Sequence, residues 1–361
     1  MQPIRKLLGN TRTVLLSPDS QLNLIPFAAL VDENNNYLVE NYSISYLSSG
    51  HDLLRLQNQA NNRSNPVLIA NPDYANPGDA SVQIAQNLLT SPPTPMGMRG
   101  IGGLGQTAQS RSTGNQRSTD LSQLQFGSLF GSLSGTAQEA EAIAPMLPGV
   151  TQLTGSKATE NALKQISAPS ILHIATHGFF LEDVELVASP DFSNPFSLDR
   201  GPIVKVVPRP GASPRPSISN PENPLLRSGI ALAGFNPRQS GTEDGVLTAL
   251  EAAGLNLLGT KLVVLSACET GIGAVNNGEG VYGLRRAFAI AGAESQLISL
   301  WKVADIGTKD LMVNYYQRLM NNEGRREALR QTQLEMLRSQ KYQHPYYWAA
   351  FIPSGDWTSM E

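Results

Sequence analysis

Two apolar runs, each ending in a residue type used in catalysis, constrain the fold of this chain more than any other feature. Residues 171–178 read ILHIATHG and residues 262–268 read LVVLSAC, and the second run carries the only cysteine in the sequence. Continuous apolar runs of this length are typical of buried strands in a parallel sheet. If the two strands are neighbours, His177 and Cys268 emerge side by side at the carboxyl edge of the sheet, where open α/β folds place their active sites.

Strand-like and helix-like segments alternate around both runs, which predicts βαβ units and an α/β fold with a mostly parallel sheet. Residues 1–89 are expected to form an N-terminal lobe and residues 136–361 the main lobe. Residues 90–135 are dominated by Ser, Gly, Thr, Gln and Pro, and this composition predicts a flexible low-complexity insertion. Residues 182–227 are rich in proline and are interpreted as a long surface loop beside His177.

Two helix starts carry a threonine followed three residues later by a glutamate, at Thr136 and Glu139 and again at Thr248 and Glu251. In such a capping box each side chain accepts a hydrogen bond from a backbone amide of the first helical turn. We therefore expect both glutamates to cap their own helices.

The overall composition argues against several classes of partner. The net charge of −3 provides no basic field, so no nucleic-acid partner is expected. No segment approaches the ~18 apolar residues of a membrane span, and the N-terminus lacks the apolar core of a signal peptide, so we expect no membrane partner and a cytoplasmic location. One cysteine and four histidines without close ligand spacing argue against a structural zinc site.

Cys268 is the candidate nucleophile of the chain. A cysteine attacks as the thiolate, so catalysis requires a base within hydrogen-bond reach, and His177 is the candidate base. The backbone amides of Gly178 and Cys268 are the candidate oxyanion donors. A second interpretation stays open on these residues alone, because a lone cysteine after an apolar strand is more often a packed core residue. His173, inside the first strand, is expected to be a core histidine.

The segment Gly278 to Gly283 fits the G-x-G-x-x-G pattern and opens a helix, as a dinucleotide site would. However, about ten residues of loop separate this segment from the preceding strand, and Glu279 would repel a pyrophosphate. We therefore expect the glycines to shape this loop and to start the next helix, with nucleotide binding as a less favoured alternative.

Several motifs, taken in order, resemble the CHAT family, caspase-like peptidases that are commonly attached to tetratricopeptide repeats. They are ATHG at 175–178, LSACETG at 265–271, GEGV at 278–281, RAF at 286–288, SLWKV at 299–303 and HPYYWAAF at 344–351. LSPD at 16–19 and IPFAAL at 25–30 extend the similarity to the front of the chain. The resemblance implies a caspase-hemoglobinase-like, mostly parallel sheet flanked by helices, as in caspases, metacaspases, separases and gingipains.

For function, the resemblance implies a cysteine endopeptidase that hydrolyses peptide bonds of a specific protein partner through a dyad of His177 and Cys268, without a metal or organic cofactor. A tetratricopeptide-repeat region or a regulator, in cis or in trans, is the other expected partner. The alternative is a non-proteolytic signalling or scaffold module of the same fold, with an inactive or autoinhibited dyad. The chain starts close to its first strand, so an excised carboxyl-terminal domain and a short stand-alone member both remain open.

The substrate pocket is the least constrained part of the site. Many metacaspases carry an acidic residue two positions before the cysteine for a basic substrate side chain, whereas this chain has Ser266 there. We expect substrate contacts from Asp244, Trp301 and Asp305 at the same edge of the sheet, and an exposed carboxylate there would favour Lys or Arg. Each of the three is also ordinary as a loop or cap residue. Glu269 and Glu279 are expected to be structural hydrogen-bonding residues.

Overall fold

The computed structural model describes residues 6–57, 64–82, 130–180, 187–188, 204–205, 224–226, 228–269, 279–301 and 305–360. The strands are β1 (Thr13–Leu16), β2 (Ser43–Tyr46), β3 (Val67–Pro72), β4 (Thr151–Gly155), β5 (Ile171–Phe180), β6 (Val187–Ala188), β7 (Val204–Lys205), β8 (Ser228–Ala231), β9 (Val246–Thr248), β10 (Leu262–Glu269), β11 (Ser295–Ser299) and β12 (Phe351–Gly355). The helices are α1 (Leu38–Asn41), α2 (Asp52–Arg55), α3 (Ser134–Ile143), α4 (Glu160–Lys164), α5 (Ala249–Ala252), α6 (Glu279–Ile290), α7 (Asp305–Met320), α8 (Arg325–Arg338) and α9 (Pro345–Trp348).

Ten strands of the described residues form one sheet with β5 and β10 at its centre. The order across the sheet is β1-β2-β12-β11-β10-β5-β3-β4, and β8 pairs with both β5 and β9. Most ladders are parallel, including β5 with β10 and β10 with β11. The antiparallel ladders of this sheet join β12 to β11, and β8 to β5 and β9. The predicted α/β fold with a mostly parallel sheet is confirmed.

Helices cover both faces of the sheet. Alternate residues of β5 enter two apolar clusters, with Leu172 and Ile174 in one and Ile171 and Ala175 in the other. The first cluster includes residues of α4, α5 and α6, and the second includes residues of α3, α7 and α8. Because the strands are covered on both sides, successive residues must be apolar, which explains the continuous runs in the sequence. Among the described residues, no helix combines the length and apolar character needed to span a membrane.

The strands of residues 1–89 belong to the same sheet as those of residues 136–361. β12 pairs with β2, and β3 lies beside β5. The expected boundary between residues 89 and 90 lies outside the described residues, and α3 crosses the one between 135 and 136. Most of segments 90–135 and 182–227 also lies outside, although β6 and β7 of the second segment pair as an antiparallel ladder.

One of the two expected capping boxes is confirmed and the other is wrong. Thr248 and Glu251 cap α5, because each side chain accepts a hydrogen bond from the other residue's amide. In contrast, α3 begins at Ser134, so Thr136 lies inside the helix and its hydroxyl donates to the carbonyl of Leu133 at 2.8 Å. Glu139 therefore lies about one turn further along α3, where its carboxylate contacts His173 and Ser266 on the sheet.

Candidate active site

The two candidate catalytic residues occupy paired positions at the carboxyl ends of β5 and β10. The parallel register aligns Leu262 with Ile171 and continues without a shift to the pairs Cys268–His177 and Glu269–Gly178. Neighbouring strands lie about 4.8 Å apart, so the backbones at His177 and Cys268 are as close as a sheet allows. Gly178 also pairs with Ile230 of β8, which extends the sheet on the other side of β5.

His177 is buried, at 5% relative exposure, and two aromatic rings pack against its imidazole. The ring of Phe130 stacks on it with centroids 4.6 Å apart and an interplanar angle of 15°. Tyr74 packs at 5.0 Å, and its hydroxyl accepts the His177 amide at 3.3 Å. The same hydroxyl lies 2.8 Å from Thr176 Oγ1, which donates to the carbonyl of Ala231. The imidazole therefore packs against two aromatic rings, which also contact each other, with centroids 6.1 Å apart.

One hydrogen bond determines which nitrogen of His177 carries the proton. His177 Nε2 lies 3.0 Å from the carbonyl oxygen of Gly131. A carbonyl oxygen can only accept, so Nε2 must be the donor, and in the neutral ring Nδ1 is then the basic nitrogen. This geometry leaves the neutral imidazole able to take a proton at Nδ1.

The segment that contacts His177 is itself fixed by a side-chain amide from a distant loop. The Phe130 amide donates to Asn236 Oδ1 and Asn236 Nδ2 donates to the Phe130 carbonyl, both at 3.1 Å. The neighbouring Phe235 ring packs on Phe130 at 4.7 Å. Gly234, with φ of +81°, starts this loop, and a Cβ there would lie 1.7 Å from the carbonyl oxygen of Gln239. Only glycine fits this close approach of two backbone segments.

A buried polar cluster lies on the same two strands, a few residues before His177 on β5 and before Cys268 on β10. His173 is fully buried, as predicted, with Nδ1 3.0 Å from the Tyr316 hydroxyl and Nε2 3.1 Å from Glu139 Oε1. Ser266, two residues before Cys268, donates to Glu139 Oε2 at 3.1 Å. Burial raises the pKa of Tyr316 well above its usual range, so this phenol stays neutral. Glu139 thus joins α3 to β5 and β10.

A small cavity opens beside this cluster. Its lining residues are Leu133, Gly135, Thr136, Glu139, Thr176, Ser266, Asp305 and Thr308. Asp305, the first residue of α7, is exposed, whereas the carboxylate of Glu139 is buried against His173 and Ser266. A Cβ at Gly135 would come within 2.3 Å of the Asp305 side chain, so glycine is what lets Asp305 approach α3. Of the three expected substrate contacts, Asp305 is the one that lines this cavity.

Asp244 and Trp301 are not among the residues that line this cavity. Asp244 accepts a hydrogen bond from the amide of Val246, lies 4.0 Å from Arg238, and has its pKa raised by burial. Trp301 follows β11, and its indole nitrogen donates to the carbonyl of Tyr346 at 3.1 Å. Asp305 therefore shares a cavity with Thr176 of β5 and Ser266 of β10, whereas Asp244 and Trp301 do not line that cavity.

Among the described residues, one group of carboxylates has the spacing of metal ligands. Oxygens of Glu160, Glu243 and Glu251 lie within 4.8 Å of one another. The ammonium of Lys164 lies among them, at 2.7, 3.0 and 3.1 Å, and supplies the positive charge. Burial raises the pKa of Glu160 to about 8 despite this lysine. The group is therefore an ion cluster built around Lys164.

The glycine-rich motif contributes to helix packing where the structure describes it. α6 begins at Glu279, and Gly283 faces β8, where an added Cβ would lie 2.9 Å from Ser228 Oγ. Gly278 lies outside the described residues. This close contact accounts for Gly283 without a nucleotide.

Sequence reasoning missed Phe130, Gly131, Glu139 and Asn236 as neighbours of the site. Phe130 and Gly131 lay in a segment interpreted as an insertion, and the pattern around Glu139 favoured a local cap. One usable signal was the apolar Phe130 among polar residues, since an aromatic residue in such a segment needs a packing partner.

Two curated relatives match the chain. Tetratricopeptide repeat protein 28 of Homo sapiens is 26% identical over 358 residues, which is 96% of this chain and 12% of the relative. The protein of the same name from Mus musculus is 28% identical over 239 residues, 63% of this chain and 9% of the relative. The chain thus spans only a small part of the relatives it matches.

A solved structure with partial similarity is the crystal structure of the Arg specific cysteine proteinase gingipain R. The superposition covers 99% of this chain and 66% of that chain, at 8% sequence identity and a TM-score of 0.46. With so low a score, the fold assignment rests on the strand order described above. The sequence profile of the CHAT domain matches residues 1–356, nearly the whole chain. The chain belongs to the CHAT domain family.

Proposed function

We propose that this chain is a cysteine endopeptidase in which Cys268 is the nucleophile and His177 the base. The observation that carries the proposal is the register of β5 and β10, which pairs the two residues at the carboxyl edge of the sheet. Membership of the CHAT domain family supports it. The hydrogen bond from His177 Nε2 to Gly131 supports it further, because it leaves Nδ1 as the basic nitrogen.

In the proposed mechanism, His177 Nδ1 takes the thiol proton of Cys268, and the sulfur attacks the carbonyl carbon of the scissile peptide bond. The amides of Gly178 and Cys268 hold the resulting oxyanion. The carbon–nitrogen bond breaks as His177 returns the proton to the leaving amine, which leaves a thioester on Cys268. Water, deprotonated by His177, then attacks the thioester, releases the carboxylic acid and restores the thiol.

The cavity beside Ser266 is the proposed pocket for the side chain that precedes the scissile bond. Its lining includes Ser266, two residues before Cys268 on β10, and Asp305, which is an exposed residue. A carboxylate forms strong, charge-assisted hydrogen bonds with ammonium and guanidinium groups. The proposed substrates therefore carry Lys or Arg at this position.

The proposed partners are a protein substrate and a tetratricopeptide-repeat segment. Both curated relatives carry tetratricopeptide repeats in their names, and this chain matches only a small part of each. A repeat segment, in the same polypeptide or in another one, is therefore the proposed recruiter of the substrate.

A thiol-directed peptide probe tests the proposal directly. A peptide acyloxymethyl ketone with Lys at its reactive end is expected to label Cys268 once per chain, located by mass mapping. His177→Ala is expected to slow labelling by about 10²-fold or more, because general-base catalysis contributes about 10²–10⁴. Equal labelling rates for the two proteins would remove His177 from the mechanism. An unlabelled Cys268 would instead favour the signalling or scaffold module.

Asp305→Asn tests the proposed pocket. The substitution removes the charge but keeps a similar shape, and a hydrogen bond to a charged group contributes about 1.5–3 kcal/mol. We expect kcat/KM for Lys and Arg substrates to fall by about 10- to 150-fold, with little change for a neutral side chain. The control is Asp310→Asn on the same helix, which lies outside the cavity lining and keeps an acceptor for Tyr342. A uniform loss across all substrates would contradict the assignment.

A further inference from the structure

We infer that Asn236 is a positioning residue for His177, acting through the backbone of Phe130 and Gly131. The inference deepens the proposed peptidase function and rests on it for the catalytic role of His177. The Asn236 amide serves as both acceptor and donor to the backbone of Phe130, at 3.1 Å each way, although the two residues are 106 positions apart. This pairing fixes the position of Phe130 and of Gly131, which follows it.

The fixed segment makes two different contacts with His177. The Phe130 ring covers one face of the imidazole, with centroids 4.6 Å apart and nearly parallel planes. The carbonyl of the following residue, Gly131, accepts the Nε2 proton at 3.0 Å. The stack limits rotation of the imidazole ring. The hydrogen bond selects the tautomer with the proton on Nε2, so Nδ1 is the basic nitrogen.

Asn236 is itself well supported. The backbone amide of Asn236 donates to the carbonyl of Tyr74 at 2.9 Å, and Tyr74 also packs on His177. Phe235, the preceding residue, is buried against Phe130, and the Arg238 guanidinium lies over the Phe235 ring. The loop therefore provides a rigid base for the Asn236 side chain, as precise positioning of a reactive group requires.

Asn236→Ala removes both hydrogen bonds to Phe130, and Asn236→Asp keeps the acceptor but places a carboxylate against the Phe130 carbonyl. We expect both variants to lower kcat by about 10- to 100-fold, as small misplacements of catalytic groups do, with little change in KM. The control is Gln239→Ala, an exposed side chain of the same loop, which is expected to behave as the wild-type protein. Thermal unfolding of each variant checks that the fold is retained.

The deciding measurement is the ¹⁵N spectrum of the His177 imidazole, recorded above the pKa of the ring and assigned with His177→Ala. The wild-type protein should show one tautomer, with the proton on Nε2. Asn236→Ala should show a mixture of tautomers or a broadened signal, which a purely structural loss of stability would not produce.

The tautomer experiment does not require catalysis, so it separates the two proposals. A wild-type protein with no His177-dependent labelling would overturn the peptidase proposal and leave the tautomer result to be judged by itself. A folded Asn236→Ala that retains the pure Nε2–H tautomer would overturn the positioning role. An increase in cleavage in Asn236→Ala would also overturn it, since Phe130 would then obstruct the site.

Discussion

Replacing Cys268 by alanine is expected to lower peptide cleavage by about 10⁴-fold or more while leaving the fold intact. The thiol is the nucleophile that attacks the peptide bond in the proposed mechanism, and its loss removes the covalent route altogether. His177→Ala is expected to cost about 10²–10⁴-fold, because the thiol then loses its base and the leaving amine its proton donor. The two losses should not add, since both residues serve the same steps. Cleavage of a fluorogenic peptide with Lys before the scissile bond measures both effects.

The matched control for the histidine is His51→Ala. His51 is exposed, and its side chain makes no capping bond to α2, so activity should be unchanged. Circular dichroism and the melting temperature would show that each variant folds. Undiminished proteolysis by either dyad variant would contradict the mechanism.

Replacing Glu139 by alanine is expected to destabilise the protein by about 3–5 kcal/mol, the usual cost of removing one partner of a buried pair. Glu139 is 2% exposed and contacts His173 on β5 and Ser266 on β10. Its loss leaves the buried Ser266 hydroxyl without its acceptor, removes the carboxylate beside His173, and opens a void between α3 and the sheet. The midpoint of urea unfolding should fall, with an unchanged slope.

Two further variants serve as comparisons for the stability of Glu139→Ala. Glu139→Gln keeps an acceptor for Ser266 and about the same volume, so we expect a smaller loss of about 1–2 kcal/mol. Glu141→Ala, an exposed residue of the same helix, should change stability by less than about 0.5 kcal/mol. If Glu139→Ala were no more costly than Glu141→Ala, the cluster would have no role in holding α3 against β5 and β10.

The centre of the fold was predictable because local sequence and tertiary environment agree there. β5 and β10 are covered on both faces, so their residues must be apolar in succession, and this signal is visible without a structure. β5 and β10 are parallel neighbours, so His177 and Cys268, each near the carboxyl end of its strand, lie side by side. The family resemblance rests on the same segments, and the profile match confirms it.

Glu139 shows why other parts of the site were not predictable. A threonine followed three residues later by a glutamate is a sound local signal for a cap, and the same pattern at Thr248 and Glu251 forms one. At Glu139 the pattern fails because His173 and Ser266, on strands distant in sequence, offer the carboxylate buried partners. No local pattern encodes that choice.

Phe130 and Asn236 illustrate a second limit. They are 106 residues apart and pair through a single side-chain amide, which leaves no periodic trace in either segment. Composition favoured an insertion up to residue 135, whereas the end of that segment packs against His177. The pairing of Phe130 with Asn236 is therefore visible only in three dimensions.

The most direct test of the central claim is a comparison of new protein N-termini generated in cell extract by the intact protein and by Cys268→Ala. The proposed function predicts a small set of cleavages with Lys or Arg before the new N-terminus, present with the intact protein and absent with Cys268→Ala and His177→Ala. Identical sets of N-termini from the intact protein and Cys268→Ala would contradict it.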